Sequence, residues 1–257
     1  MIARGGPGWL LVLSVLVAGL LVAGPARAGD PHALWRIVHD RCVTDQQQHR
    51  MPAPCAVVDV AGGFAVLKDI VGLEQFLLIP TARLSGIESP ELLRGDAPNY
   101  FADAWAQVPL LEARLHRKLP REDIALAINS SYGRSQDQLH IHIDCIGVPV
   151  HAALTAQLDA IGTGWTELRT PLAGHRYRAM RIPGERLDAN PFHLLARALH
   201  DPARQMGRHT LVLVGANFPE AGFILLDDHL DLLRLDRAAG ETLQDHSCAI
   251  AEPPGTP

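Results

Sequence analysis

The sequence predicts an α+β fold following an export segment, and three observations support it. Strand-like and helix-like stretches succeed one another in the order strand, helix, strand, strand, and that order occurs twice. One strand-like stretch, Gln138–Ile146, alternates polar and titratable residues with apolar ones. Ahead of all this stands an apolar run from Trp9 to Val22, preceded by Arg4 and followed by Ala26-Arg27-Ala28. That arrangement is an export signal or single-span anchor covering residues 1–28, and both place the body of the chain outside the cytoplasm.

The elements follow in order. HALWRIVHDRCVTDQQQHR has apolar residues at helical spacing and ends before Met51-Pro52. CAVVDV and FAVLKD flank Ala61-Gly62-Gly63 and read as a hairpin, and QFLLIPT is a third strand, stopped by Pro80. SGIESPELL turns into a short helix with Pro90 in its first turn. NYFADAWAQVPLLEARLHRKL carries the longest helical stripe, with an irregularity expected at Pro109. IALAINS is a buried-type strand, SYGRSQD a loop, and QLHIHIDCI the alternating strand. After Gly147-Val148-Pro149 a helix runs to about Ala160. YRAMRIP is then a strand, NPFHLLARAL a helix, and HTLVLVGAN with GFILLDD a hairpin. Residues 29–150 and 151–248 thus read as two halves of one unit, the second a degenerate copy without clear residue repetition. Residues 249–257 read as a disordered tail.

The formal charge of the 257-residue chain is −5, and both charges of the export segment are arginines, so the remainder is more acidic still. This argues against nucleic-acid binding, which needs a basic stripe. Four cysteines in an oxidising compartment suggest disulfides and match no zinc-finger spacing. Of three possible pairings, Cys42 with Cys55 closes a short loop and leaves Cys145 with Cys248.

The alternating strand puts Gln138, His140, His142 and Asp144 on one face. Three uses of that face compete. It is a solvent-facing strand without chemistry; or it chelates zinc through His140, His142 and Asp144; or a neutral imidazole attacks phosphorus while nearby donors hold the phosphate oxygens. Asn129, Arg134, Ser135 and Gln136, just before the strand, are suitable donors.

At these residues the sequence resembles the histidine triad superfamily of nucleotide hydrolases and nucleotidylyltransferases, whose signature alternates three histidines with apolar residues and whose middle histidine is the nucleophile. QFLLIPTARLSGI resembles the superfamily's strand and turn, with Gln75 where a histidine is common. AINSSYGRSQDQLHIHID aligns without gaps and places Asn129, Gln136, His140 and His142 on the phosphate-binding Asn, the loop Gln, the first histidine and the nucleophile. Asp144 stands at the third histidine position. A shifted register, starting at Gln138, makes His140 the nucleophile instead; the gap-free register favours His142. Over Leu34–Cys248 the chain is similar to the bacterial CDP-diacylglycerol pyrophosphatase family, through LWRIVHDRC, PAPCAVVDV, VLKD, FLLIPTARLSGIESPELL, LAINSSYGRSQDQLHIHIDCI, MGRHTLVLV and LQDHSC.

The resemblance implies a HIT-like antiparallel sheet with packed helices and hydrolysis of CDP-diacylglycerol to CMP and phosphatidate. His142 would form a nucleotidyl intermediate assisted by His140, with no cofactor or metal required. Asn129, Gln136, Ser135, Arg134, Lys68 and Gln75 would bind substrate, Asp69 its ribose. A membrane surface is the implied partner. A transferase of the same fold, passing CMP to an acceptor other than water, fits the same residues.

Overall fold

The computed structural model describes residues 1–2, 29–218 and 220–252; residues 3–28 of the expected export segment and 253–257 of the tail lie outside the described residues. Among the described residues, nine strands form one antiparallel sheet. They are β1 (Val57–Asp59), β2 (Phe64–Lys68), β3 (Phe76–Pro80), β4 (Ile124–Ile128), β5 (Ile141–Cys145), β6 (Thr166–Glu167), β7 (Arg178–Pro183), β8 (His209–Asn217) and β9 (Ala221–His229). Their spatial order is β1-β2-β3-β5-β4-β8-β9-β7-β6. With helices on both faces, this is an α+β fold. No helix among the described residues is long and apolar enough to cross a membrane.

The two runs of strand, helix, strand, strand occupy matching places. Helices α3 (Tyr100–Ala106) and α4 (Val108–Leu115) join β3 to β4, and α6 (Pro191–Ala198) and α7 (Pro202–Gln205) join β7 to β8. Each run gives one order from edge to centre, β3-β5-β4 and β7-β9-β8, and β4 pairs antiparallel with β8 through Ala125–Val214 and Ile128–Leu211. On one face of the sheet α3 meets α6, with the Phe101 and Phe192 rings 5.3 Å apart. Beneath them lie Leu78, Leu126, Ile141, Leu213 and Leu225, all buried.

The opposite face has two covers. One is α5 (Val148–Thr155), whose Val150 and Leu154 pack on Ala125, Ala127, Val212 and Leu226. The other is the N-terminal helical segment: α1 (Ala33–Arg36) and α2 (Thr44–His49) flank a π-helical stretch, Ile37–Val43, that packs Val38 and Cys42 on Ala65, Leu77 and Ile79. Between the covers, the C-terminal chain crosses this face from Asp231 to Cys248.

Several elements are shorter than their sequence stripes; the strand expected over Gln138–Ile146 is confined to Ile141–Cys145, with Gln138 and His140 on the segment that leads into it. The helix expected over 99–119 is divided at Gln107, because Pro109 has no N–H to bond Trp105 and its ring crowds that carbonyl. The helix expected to reach Ala160 ends at Thr155, followed by a 3-10 turn at Leu158–Ala160. At the far end of the chain, Ala249–Ala251 form another 3-10 turn.

The disulfides are Cys42–Cys55 and Cys145–Cys248, separated by 13 and 103 residues. The second ties the C-terminal chain to the end of β5. In the loop-entropy account the longer loop stabilises more, about 4–5 against about 3 kcal/mol. Paired Cys→Ala variants compared by chemical denaturation are expected to lose stability in that order, with the 145/248 pair losing more.

Candidate active site

The polar face of β5 and of the segment leading into it is not solvated. His140 and His142 are 7% and 4% exposed, and Gln138 and Asp144 are fully buried. β5 lies between β3 and β4, and its polar face is covered by the C-terminal chain, so each of these four side chains takes at least one partner inside the protein. Gln138 donates to the carbonyls of Pro80 and Ala82 at 3.0 and 2.9 Å. Asp144 accepts from His246 Nδ1 at 2.7 Å and from the Cys145 N–H at 2.8 Å.

The partners of the two histidines select opposite tautomers. His140 Nδ1 lies 2.7 Å from the Gln138 carbonyl, which only accepts, so Nδ1 carries the proton and Nε2 keeps its lone pair. That Nε2 has no hydrogen-bond partner among the described residues, and His140 lines a cavity of about 550 Å³. His142 Nδ1 is 3.0 Å from Gln75 Nε2. The same amide nitrogen is 2.6 Å from Asp69 Oδ2, which orients Gln75 as a donor to both. His142 Nδ1 therefore accepts and its Nε2 carries the proton, 3.2 Å from Glu241 Oε2 but outside hydrogen-bond geometry. The two rings stand edge to face, 5.0 Å apart.

Burial pushes both imidazoles down to about 4; for His140 the neighbouring His142 adds to the effect, and for His142 the Asp69 carboxylate opposes it. Both rings are neutral at physiological pH. Burial likewise raises Asp144 to about 6, against the lowering influence of His246.

The residues named from the sequence gather on this cavity, in differing states. Lys68, Asp69, Gln75, Asn129, Arg134, Ser135, Gln136, His140 and His142 all line it. Asn129 Oδ1 accepts from the Glu241 N–H at 3.2 Å, leaving the amide NH2 without a partner among the described residues. Lys68 Nζ donates to the Asp69 and Gly72 carbonyls at 2.6 and 3.0 Å, which fixes the β2–β3 loop. Gln136 joins the N-terminal helix, donating to the Asp30 carbonyl and accepting from the Leu34 N–H. Arg134 forms a two-point pair with Glu88 at 2.7 and 2.8 Å, so its charge is already balanced. Burial works against the ionised Glu88, but the bonds from Arg134 and Ser85 outweigh it and hold that carboxyl below its ordinary value.

Among the cavity residues that the sequence did not single out, three carry acid–base or charged groups from the C-terminal chain: Arg237, Glu241 and His246. Arg237 is exposed and has no carboxylate partner among the described residues. Glu241 and His246 arrive on the crossing C-terminal chain, and two glycines permit its close approach. A Cβ on Gly240 would lie 2.5 Å from Thr210 Oγ1, and one on Gly72 (φ +68°) 2.7 Å from His246 Cβ. The usable signal was the cysteine pair, since bonding Cys248 to Cys145 carries His246 beside Asp144.

The zinc arrangement considered for this strand does not form, because the Asp144 carboxylate turns away to His246. Among the described residues the groupings with metal-ligand geometry are Asp144–Cys145–Cys248, whose sulfurs are joined in the disulfide, and a separate set, His175–Asp228–Asp236.

A family model described as CDP-diacylglycerol pyrophosphatase matches residues 29–252. A curated protein of that name from Yersinia pestis is 43% identical over 242 residues, which are 94% of this chain and 92% of the relative.

The lowered imidazole values have a defined sign. Between about pH 6.5 and 4 these two rings are protonated in the unfolded chain but not in the fold, so their stabilising contribution is complete above about 6.5 and declines as pH falls towards 4. In ring-labelled NMR spectra at pH 5, His140 and His142 are expected to be neutral, the first protonated at Nδ1 and the second at Nε2. Finding His140 and His142 protonated at that pH would contradict this electrostatic account.

Proposed function

The chain belongs to the CDP-diacylglycerol pyrophosphatase family, and from that premise we propose that it cleaves its substrate by nucleophilic attack of His140. The reaction is hydrolysis of the pyrophosphate bond of CDP-diacylglycerol, which yields CMP and phosphatidate. The observation that carries the choice of nucleophile is the bond from His140 Nδ1 to the Gln138 carbonyl, which leaves Nε2 as the free base. Burial supports it too, because a ring held neutral down to about pH 4 is in its reactive form throughout the physiological range.

In the first step His140 Nε2 bonds to the cytidine-linked phosphorus, and the bond from that phosphorus to the bridging oxygen breaks. Phosphatidate departs as an anion and needs no proton to leave. The positive charge on the phosphorylated imidazole is shared through Nδ1–H with the Gln138 carbonyl. In the second step water attacks the same phosphorus, the N–P bond breaks, CMP is released and a proton is lost from the water. Glu241 and the His246–Asp144 pair, at the cavity wall, are the groups suited to accept it. The free Asn129 amide, His142 Nε2–H and Arg237 serve as donors to the phosphate oxygens. Asp69 faces the same cavity and, besides orienting Gln75, is the group we assign to the ribose hydroxyls.

The alternative assignment makes His142 the nucleophile. It is favoured by the gap-free spacing from His142 back to Asn129 and Gln136, which matches the histidine triad pattern. Transfer of CMP to an acceptor other than water would use the same intermediate.

We place the chain in the histidine triad superfamily as two degenerate halves, residues 29–150 and 151–248; the repeated strand order supports this. We also propose that it works on the outer side of the inner membrane. The composition of residues 1–28 and the two disulfides support export. At the cavity mouth the β2–β3 loop presents Ile70, Val71 and Leu73, which are 100%, 51% and 69% exposed. These three form the surface we assign to the diacylglycerol tails and the bilayer that holds them.

Two experiments test these assignments. Enzyme quenched in alkali during turnover of substrate labelled at the cytidine-linked phosphate is expected to carry the label on His140, and His140→Ala to lose at least about 10³-fold in kcat. Label on His142 would transfer the role to that residue, and no labelled protein under single-turnover conditions would sink the covalent route. Ile70→Asp with Leu73→Asp is expected to cut turnover of substrate in vesicles at least about tenfold, while activity on detergent-dispersed substrate stays within about twofold. Equal losses in both would refute the bilayer contact.

A further inference from the structure

A second cavity, of about 600 Å³, opens beside the ends of β8 and β9 and holds a cluster that the proposed reaction does not use. His175, Asp228 and Asp236 each bring one ligand atom within 4.8 Å of the others. Asp228 is 4% exposed; its Oδ1 accepts from the His229 N–H at 2.7 Å, while its Oδ2 is buried and has no hydrogen-bond partner. Asp236 is 6% exposed, with Oδ1 accepting from the Ala238 N–H at 2.8 Å and Oδ2 held 2.5 Å from His175 Nδ1.

Two buried carboxyl groups in contact need either a shared proton or a cation between them, and apart from His175, which already holds Asp236, the nearby cationic side chains are committed elsewhere. Arg178 and His209 bind Asp227 at 2.7 and 2.8 Å, and Arg234 pairs with Asp231 at 3.3 Å. Arg176, also on the cavity, is exposed and forms no ion pair with either carboxylate. The uncompensated oxygen of Asp228 therefore points into a set of ligands of the right kind to receive a cation.

We propose that His175, Asp228 and Asp236 form a binding site for one divalent cation, completed by water from the cavity. One imidazole nitrogen and two carboxylate oxygens suit zinc or manganese better than calcium, which takes oxygen ligands throughout. The site has a structural consequence for the first cavity. Asp236 begins the segment that carries Arg237 and Glu241 across the sheet, and the Ala238 that it caps accepts from the Ser130 N–H at 3.0 Å. A cation bridging Asp228 on β9 to Asp236 anchors that segment to the sheet.

The test uses the full chain, freed of metal by chelator and dialysed against Zn²⁺ or Mn²⁺ alone. About one equivalent of at least one of these ions is expected to remain on the wild type and to raise its Tm. Asp228→Asn and the half-exposed variant His175→Gln are each expected to bind that ion at least about tenfold more weakly. His175→Gln carries the test if the buried substitution fails to fold. Binding of neither ion to the wild type, or equal binding by the variants, would overturn the site. Because the readouts are metal content and Tm, they stand apart from any failure of the assigned nucleophile.

Discussion

The structure turns on the burial of a strand's polar face. In most antiparallel sheets such a face meets water, and its side chains need no partners from the protein. β5 lies inside the sheet with helices on one side and the C-terminal chain on the other, so Gln138, His140, His142 and Asp144 are all enclosed. An enclosed polar group without a hydrogen bond costs about 1–3 kcal/mol. That cost explains why each of the four is tied to a carbonyl, an amide or an imidazole. It also explains why the imidazoles are neutral, since the charged forms would lose their hydration.

Neutrality alone does not distinguish two histidines on one face; their partners do. A backbone carbonyl can only accept, and the Gln75 amide nitrogen can only donate, so neighbouring rings are locked in opposite tautomers. The carbonyl that orients His140 is that of Gln138, two residues earlier and just outside the β5 ladder. The amide that orients His142 is itself held by Asp69. Local backbone geometry thus sets one ring, while a relay across β3 and the end of β2 sets the other.

The crossing C-terminal chain makes the enclosure possible. It is anchored at one end by the Cys145–Cys248 disulfide and at the other by Ser130 Oγ donating to the Arg237 carbonyl and Thr210 Oγ1 accepting from the Gly240 N–H. Between these anchors it delivers Glu241 and His246 to the cavity. The chain thereby closes a site whose other walls come from residues between Ala33 and His142.

Local periodicity determined much of this. The alternation of Gln138–Ile146, the Pro80 stop, the two runs of strand, helix, strand, strand and the Asn129–His142 spacing depend on near neighbours and were legible directly. The break at Gln107 was legible as well, because a proline acts on the turn that contains it. Other features depended on which distant segments meet, a matter that single-chain periodicity does not encode. Among them are the burial of the polar face, the tautomer of each ring and the pairing of Arg134 with Glu88. The arrival of Glu241 and His246 and the convergence of His175 with Asp228 and Asp236 belong with them. Sequence alone placed the imidazoles on one face of a strand; only the tertiary structure decided their proton positions, because a tautomer is set by the partner packed against it.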